Sequence, residues 1–255
     1  MPDIATPINV ETRRRERRLA VSLPISLLAF VLFYKLSKRD WTSPPMPWDQ
    51  RVTRWIQAVR PPGMRRLMLA VSWPGWPPRN WALTIIGALA LFRGGFRVAP
   101  WIVLAALPVE GAVTGMKYWI NRERPIRPSP APRFWPSDPS FPSGHTVQYT
   151  LLFGFIAHLA RLYVHQPVVR RLLLTISGAF VLLIGPSRIY LGHHWPTDVL
   201  AGYSLGLGLL FSFVQLYELV RLKTRHRPAM QTATDAVPIM QAGKPGFHWL
   251  SLRRV

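Results

Sequence analysis

Three short stretches of this chain gather side chains that can bind an anion, attack it and move a proton. They are Lys117-Tyr-Trp-Ile-Asn-Arg-Glu-Arg124-Pro125, Phe141-Pro142-Ser143-Gly144-His145, and Ser187-Arg188-Ile-Tyr-Leu-Gly-His-His194-Trp-Pro-Thr-Asp198. Lys117, Arg124 and Arg188 supply three fixed positive charges, and an arginine presents a planar fork of donors that meets phosphate oxygens two at a time. Ser143 and Gly144 add a hydroxyl and backbone N–H groups where a helix is expected to begin, a place that favours anions. This inventory suits a phosphate better than a carboxylate. His194 and Asp198 are four residues apart, so a helix starting here puts them on one face, where the carboxylate holds one ring nitrogen and leaves the other to attack. His145, arriving from another loop, is placed to protonate a departing oxygen.

Each residue taken alone has a blander reading. A single lysine at the end of an apolar run is commonly an anchor that snorkels to the headgroups, and a single interfacial histidine is commonly just hydrogen-bonded. The combination in three ordered segments favours chemistry. His193 stands outside the pattern and is read as structural. Arg122, Glu123, Arg127 and Arg133 are read as solvated charges or substrate-access contacts. Glu110 lies inside an apolar run seven residues before Lys117, and an ionisable group there has a function or a partner. It either orients Lys117 through water or is neutral and packed, and is left out of the site. Gly202 and Gly206 form a small-xxx-small step suited to close helix packing.

The elements that must position these residues are apolar runs over Leu19 to Tyr34, Trp81 to Phe92, Trp101 to Ile120, Thr146 to Leu162, Leu172 to Ile184 and Val199 to Val220. Several approach the ~20 residues that cross a bilayer. Counting flanking residues, the expectation is an all-α, polytopic membrane bundle of about six transmembrane helices. The third-to-fourth and fifth-to-sixth connections of such a bundle emerge on the same side, so all three segments share one face. Hydrophobic residues make up 49% of the 255 and the mean hydropathy is only +0.13; it is their grouping that points to a membrane.

Lys and Arg number 32 against 11 Asp and Glu, a formal charge of +21. Because the cations lie between apolar runs, the expected partners are anionic lipid headgroups and a membrane lipid substrate rather than nucleic acid. The absence of cysteine rules out disulfides, thiolate metal sites and a thiol nucleophile. Residues 1–18 are expected to form an unstructured basic arm, 19–222 the membrane-embedded domain, and 223–255 a mobile tail. Within the domain, residues 37–78 hold five tryptophans and many prolines, a composition for the headgroup layer. A helix over Asp49 to Leu69 carrying Arg51, Arg54, Arg65 and Arg66 is expected there, interrupted at Pro61, Pro62 and Gly63. The balance of Lys and Arg puts the N-terminus inside and the three segments outside, on the periplasmic face of a bacterial cytoplasmic membrane.

The three segments together resemble the signature of the type 2 phosphatidic acid phosphatase superfamily, K-x6-RP, then PSGH, then SR-x5-H-x3-D, and every signature position is filled. The resemblance covers roughly Pro100 to Val220. It implies a phosphohistidine formed on His194, activation by Asp198, protonation of the leaving group by His145, and a phosphoryl group held by Lys117, Arg124, Ser143, Gly144 and Arg188, with no metal or other cofactor. The implied substrates are phosphatidate, phosphatidylglycerol phosphate, an isoprenyl pyrophosphate such as the undecaprenyl carrier, or lipid A phosphates, with the Ile126 to Ser140 loop contributing specificity. Two rivals use the same residues: a lipid-to-lipid phosphotransferase, and a lipid-binding or transport protein without catalysis. Soluble haloperoxidases of the same superfamily are disfavoured by the apolar runs.

Overall fold

The computed structural model describes residues 7–39, 41, 45–125 and 136–225, with side chains between residues 20 and 221 of these. Arg127, Arg133, most of the Ile126 to Ser140 loop and the tail beyond residue 225 lie outside the described residues. Everything regular in the described chain is helical: α1 (Pro7–Ser37), α2 (Pro47–Ala58), α3 (Met64–Ser72), a 3-10 turn over Trp73–Gly75, α4 (Arg79–Arg93), α5 (Ala99–Leu104), α6 (Ala106–Ile120), α7 (Gly144–Tyr163), α8 (Pro167–Tyr190) and α9 (Pro196–Arg225).

Each apolar run falls inside a helix, or inside the α5–α6 pair. Among the described residues four stretches are long and apolar enough to cross a membrane: Ala20–Ser37, Ala99–Ile120, Pro167–Tyr190 and Pro196–Arg221. The expected six are therefore not all reached on length and composition. α4 has 15 residues, about 22 Å at 1.5 Å per residue, short of a ~30 Å hydrocarbon core. α7 is long enough at 20 residues but carries Gln148, His158 and several hydroxyl residues. The Ala99–Ile120 stretch is two helices because Pro108 has no N–H to give the carbonyl of Leu104, where α5 ends.

Residues 7–18, expected as an unstructured arm, belong to α1. The Arg- and Glu-rich segment is a fair helix former, and a helix already nucleated by the apolar run extends without a new nucleation cost. The expected interfacial helix is present in two pieces, α2 and α3, split at Pro61 and Pro62 with Gly63 left-handed at φ 83°. α2 exposes Trp55, Arg51 and Arg54 and buries Asp49.

α9 is the axis of the bundle, packing on α1 along one side and α7 along the other. The small-residue step lets α7 and α9 touch: a Cβ on Gly202 would stand 2.8 Å from the Ser143 carbonyl oxygen, and one on Gly206 2.7 Å from Thr150 Cβ. That contact fixes the start of α7 beside the start of α9. α8 runs unbroken through Pro186, and the Tyr203 hydroxyl of α9 packs against the turn before it, accepting from Gly185 N–H at 3.2 Å, donating to the Val181 carbonyl at 2.6 Å and lying 3.5 Å from the Leu182 carbonyl, which the proline leaves without its N–H donor.

Candidate active site

The C-terminal ends of α6 and α8 and the N-terminal ends of α7 and α9 meet at one end of the bundle, as connectivity requires. α6 stops at Asn121, left-handed at φ 52°, whose N–H caps the Lys117 carbonyl at 2.7 Å. Lys117 is thereby held in the last turn and the chain reverses, turning Arg122 and Arg124 inward. α8 ends similarly: Gly192 takes φ 73°, His193 N–H donates to the Arg188 carbonyl at 3.0 Å, and the chain then delivers His194. The left-handed turn suits glycine, which has no Cβ to strain.

His194 is almost fully buried. Its Nδ1 lies 3.6 Å from Asp198 Oδ2 and its Nε2 lies 3.4 Å from Arg124 Nη1. One ring nitrogen faces the carboxylate and the other faces the cations, the division expected of an oriented nucleophile. The route to this geometry differs from the expected one. α9 begins at Pro196, a favoured first helical position for proline, so His194 precedes the helix instead of sharing its face. Asp198 accepts the Trp195 N–H at 2.8 Å, half of a capping box, and the loop carries His194 back over it. Burial, then Arg124 and Arg188, hold the His194 imidazole well below its ordinary pKa, which keeps it neutral and its lone pair available near pH 7. His193 is pushed down to about 2 by burial, Arg188 and Arg124.

Ser143 caps α7 without using its hydroxyl on the helix. That hydroxyl accepts from Thr146 at 2.9 Å, leaving its own proton to donate elsewhere. His145 in the first turn sits edge-on to Trp76 at 5.2 Å, and its Nε2 is buried without a hydrogen-bond partner among the described residues, as is Arg188 Nε. His194 Nδ1, 3.6 Å from Asp198, is likewise without a hydrogen bond, and unsatisfied polar atoms gathered in one buried site are what a polar ligand would satisfy. Arg188 is fixed from behind by Ser72 at 3.3 Å and lies 5.0 Å from the Trp76 ring. All eight expected residues, Lys117, Arg124, Ser143, Gly144, His145, Arg188, His194 and Asp198, are thus brought to one end of the bundle.

Three features escaped the sequence reading. The first corrects it: Arg122 is no solvated loop charge but 3% exposed, paired with Asp198 Oδ1 through Nη1 and with Asp49 Oδ2 at 2.8 Å through Nη2. Its guanidinium lies 4.0 Å from the Trp41 ring. Asp49, fully buried, also takes the Thr197 N–H at 2.9 Å and hydroxyl at 2.7 Å. A chain His194–Asp198–Arg122–Asp49 therefore runs from His194 into α2. The second is Trp76, expected in the headgroup layer, which packs edge-on against both His145 and His193.

The third is Asp138, whose two oxygens bind Lys117 Nζ and, at 2.8 Å, Arg124 Nη2. Burial pushes its carboxyl up, but Lys117 and Arg124 outweigh that and hold it below the usual range, so it is ionised at neutral pH. A carboxylate is thus seated on two of the cations expected to bind phosphate, so a phosphate arriving there would compete with it. Asp138→Asn is expected to strengthen inhibition by inorganic phosphate several-fold in a turnover assay. Weaker inhibition in the variant would mean that Asp138 positions the cations instead. Glu110 takes hydrogen bonds from Asn80, Trp81 and Gln148 between 2.6 and 2.8 Å, which favours its packed reading.

A cation cradle around a buried neutral histidine, backed by a carboxylate and set at the ends of membrane helices, defines a membrane-embedded phosphatase site. Comparison with known proteins agrees. Residues 99–221 match the PAP2 superfamily. The chain is 32% identical over 195 residues to phosphatidylglycerophosphatase B of Bacillus subtilis (strain 168), covering 74% of this chain and 91% of that protein. It is 34% identical over 87 residues to undecaprenyl-diphosphatase of Sulfolobus acidocaldarius, 32% of this chain and 35% of that one. Among solved structures it resembles a transmembrane PAP2-type phosphatidylglycerolphosphate phosphatase from Bacillus subtilis, with a TM-score of 0.60 and 28% identity over 78% of this chain and 96% of the other. The chain belongs to the PAP2 superfamily. It is an integral-membrane lipid phosphatase.

Proposed function

We propose that this phosphatase removes phosphate from a membrane lipid, as a phosphomonoester or pyrophosphate, through a phosphohistidine on His194. The observation that carries the reading is the orientation of His194, with Nδ1 toward Asp198 and Nε2 toward Arg124. In the first step the Nε2 lone pair forms the N–P bond, the P–O bond to the lipid breaks, and His145 gives the departing oxygen a proton that it takes up with the anionic substrate, since burial and Arg188 hold the imidazole of the empty site well below its ordinary pKa. In the second, water attacks phosphorus, the N–P bond breaks, and His145 takes the proton that water loses. Lys117, Arg124, Arg188, the Ser143 hydroxyl and the first N–H groups of α7 neutralise the charge spread over the phosphoryl oxygens. No step calls for a metal. The relatives act on both glycerophospholipid and isoprenyl phosphates by name, which supports an amphiphile reaching the site from the bilayer. Phosphate release from a panel of such lipids in detergent with EDTA tests this: full activity in chelator is expected, and dependence on added metal would contradict it.

The site faces the extracytoplasmic side of a bacterial cytoplasmic membrane. Support comes from Arg161, Arg170 and Arg171 at the α7–α8 connection, which lies at the other end of α7 and α8 from the site; a cation-rich connection belongs inside. Ser137 is exposed beside the site, and the chain has no cysteine. Ser137→Cys is expected to react with an impermeant thiol reagent on intact cells or spheroplasts. Labelling only after lysis would reverse the orientation.

A further inference from the structure

The His145 imidazole is set by the walls around it. Its Nε2 has no hydrogen-bond partner among the described residues. The ring is hemmed by Trp76 edge-on at 5.2 Å, by Tyr149 at 6.4 Å and by Gly75, where a Cβ would fall 2.5 Å from the imidazole Cδ2. Its position therefore depends on how firmly the Gly75–Trp76 turn is held against the first turn of α7. α4, which continues that turn, packs little on α7, so helix packing does not supply the hold. A polar knot does. Asn80 in the first turn of α4 gives its backbone N–H to the Trp76 carbonyl at 3.3 Å. Its Nδ2 donates to both oxygens of Glu110 at 2.8 Å and to Gln148 Oε1 at 3.2 Å. Gln148 stands one turn beyond His145 on α7 and donates from Nε2 to Glu110 Oε2 at 2.8 Å. Trp81 Nε1 adds a further bond to Glu110 at 2.6 Å. α6 and α7 run antiparallel here: a Cβ on Gly144 would touch Val113, and one turn deeper Gln148 meets Glu110.

An ionisable side chain within a span is costly unless it has a function or a partner, and Glu110 lies inside the Ala99–Ile120 stretch. Two of its three partners lead to the two walls of His145. Asn80 leads to the Gly75–Trp76 turn, and Gln148 to the helical turn that carries the imidazole. Resting on the reading that His145 protonates the departing oxygen, we infer that Glu110 is a positioning residue for that acid, joining through Asn80 and Gln148 the two elements between which the imidazole is set. His194 is oriented from elsewhere, by Asp198 and the chain through Arg122 to Asp49. Loss of Glu110 therefore displaces the acid and leaves the attack on phosphorus in place.

The test compares kcat/KM, which reports the steps through departure of the leaving group, on two substrates. Dioctanoyl phosphatidate releases an alkoxide that needs a proton; p-nitrophenyl phosphate releases a phenolate that does not. Glu110→Leu is expected to lose about 10²-fold on the phosphatidate, the scale of a misplaced catalytic group, and less than about threefold on p-nitrophenyl phosphate, where the acid contributes little. In a His145→Ala background the same substitution is expected to cost less than about threefold on either substrate, because the group it positions is gone. Equal losses on the two substrates, or a full further loss on top of His145→Ala, overturn the inference and make the knot a structural brace. Wild-type kcat/KM in Glu110→Leu overturns it too. If Glu110→Leu does not purify folded, Gln148→Met, which cuts only the tie to α7, decides. A loss of about tenfold confined to the phosphatidate is then expected, and any other pattern overturns the inference. A His145→Ala protein that loses equally on both substrates refutes the acid assignment and the inference with it. Equal losses in Glu110→Leu beside a substrate-selective His145→Ala refute the inference alone.

Discussion

Arg122→Leu is expected to destabilise the protein by about 3–5 kcal/mol, because it leaves two buried carboxylates, Asp49 and Asp198, without their shared cation. Against the 5–15 kcal/mol that typically holds a domain together, this is a large loss. Turnover is expected to fall as well. Arg122 fixes one Asp198 oxygen, and the Trp195 N–H fixes the oxygen that faces His194 at 3.6 Å; with the first restraint gone the carboxylate is free to turn away from the imidazole. Arg122→Lys keeps a charge but loses the fork that reaches both carboxylates at once, so it is expected to recover part of the stability and less of the rate. Thermal unfolding in detergent, read beside kcat on a short-chain lipid phosphate, separates the two effects. An Arg122→Leu protein with wild-type stability would show that the buried charges rearrange without cost.

The second large effect belongs to His194, the proposed nucleophile. His194→Ala is expected to lower kcat by at least about 10³-fold while the protein purifies intact, since removing the attacking group of a covalent mechanism leaves only the cradle. His145→Ala is expected to cost about 10²–10⁴-fold, and the cost should shrink on substrates whose leaving group needs no proton. That difference in leaving-group dependence distinguishes the acid from the nucleophile.

The gathering of the eight expected residues at one end of the bundle was legible because they stand at the ends of apolar runs, where a merely structural span has little reason to collect polar groups. Connectivity alone placed the three segments on one face, and Arg124 meeting His194, like Ser143 N–H meeting the Asp198 carbonyl at 3.1 Å, realises it. Arg122, Asp49 and Asp138 were not legible for a shared reason. In a chain with 32 cations and 11 acids, each acid has many partners available, and the one it takes is decided by tertiary packing. Asp49 is one of two acids in a Trp- and Pro-rich stretch, 73 residues from its arginine. The helices themselves were readable from apolar grouping, while the number of crossings was not, because α4 is short and α7 spends its polar residues on the site and on the Gln148 and His158 contacts.

The central claim is that phosphorus passes through His194. It is tested most directly by quenching the enzyme in alkali during turnover of a ³²P-labelled lipid phosphate and asking whether label stays on the protein. The expected result is an acid-labile, alkali-stable adduct mapping to the peptide that contains His194, absent in His194→Ala and accumulating in any variant slowed at hydrolysis. Turnover of the lipid by an intact His194→Ala protein at the wild-type rate, or label on another residue, would contradict it.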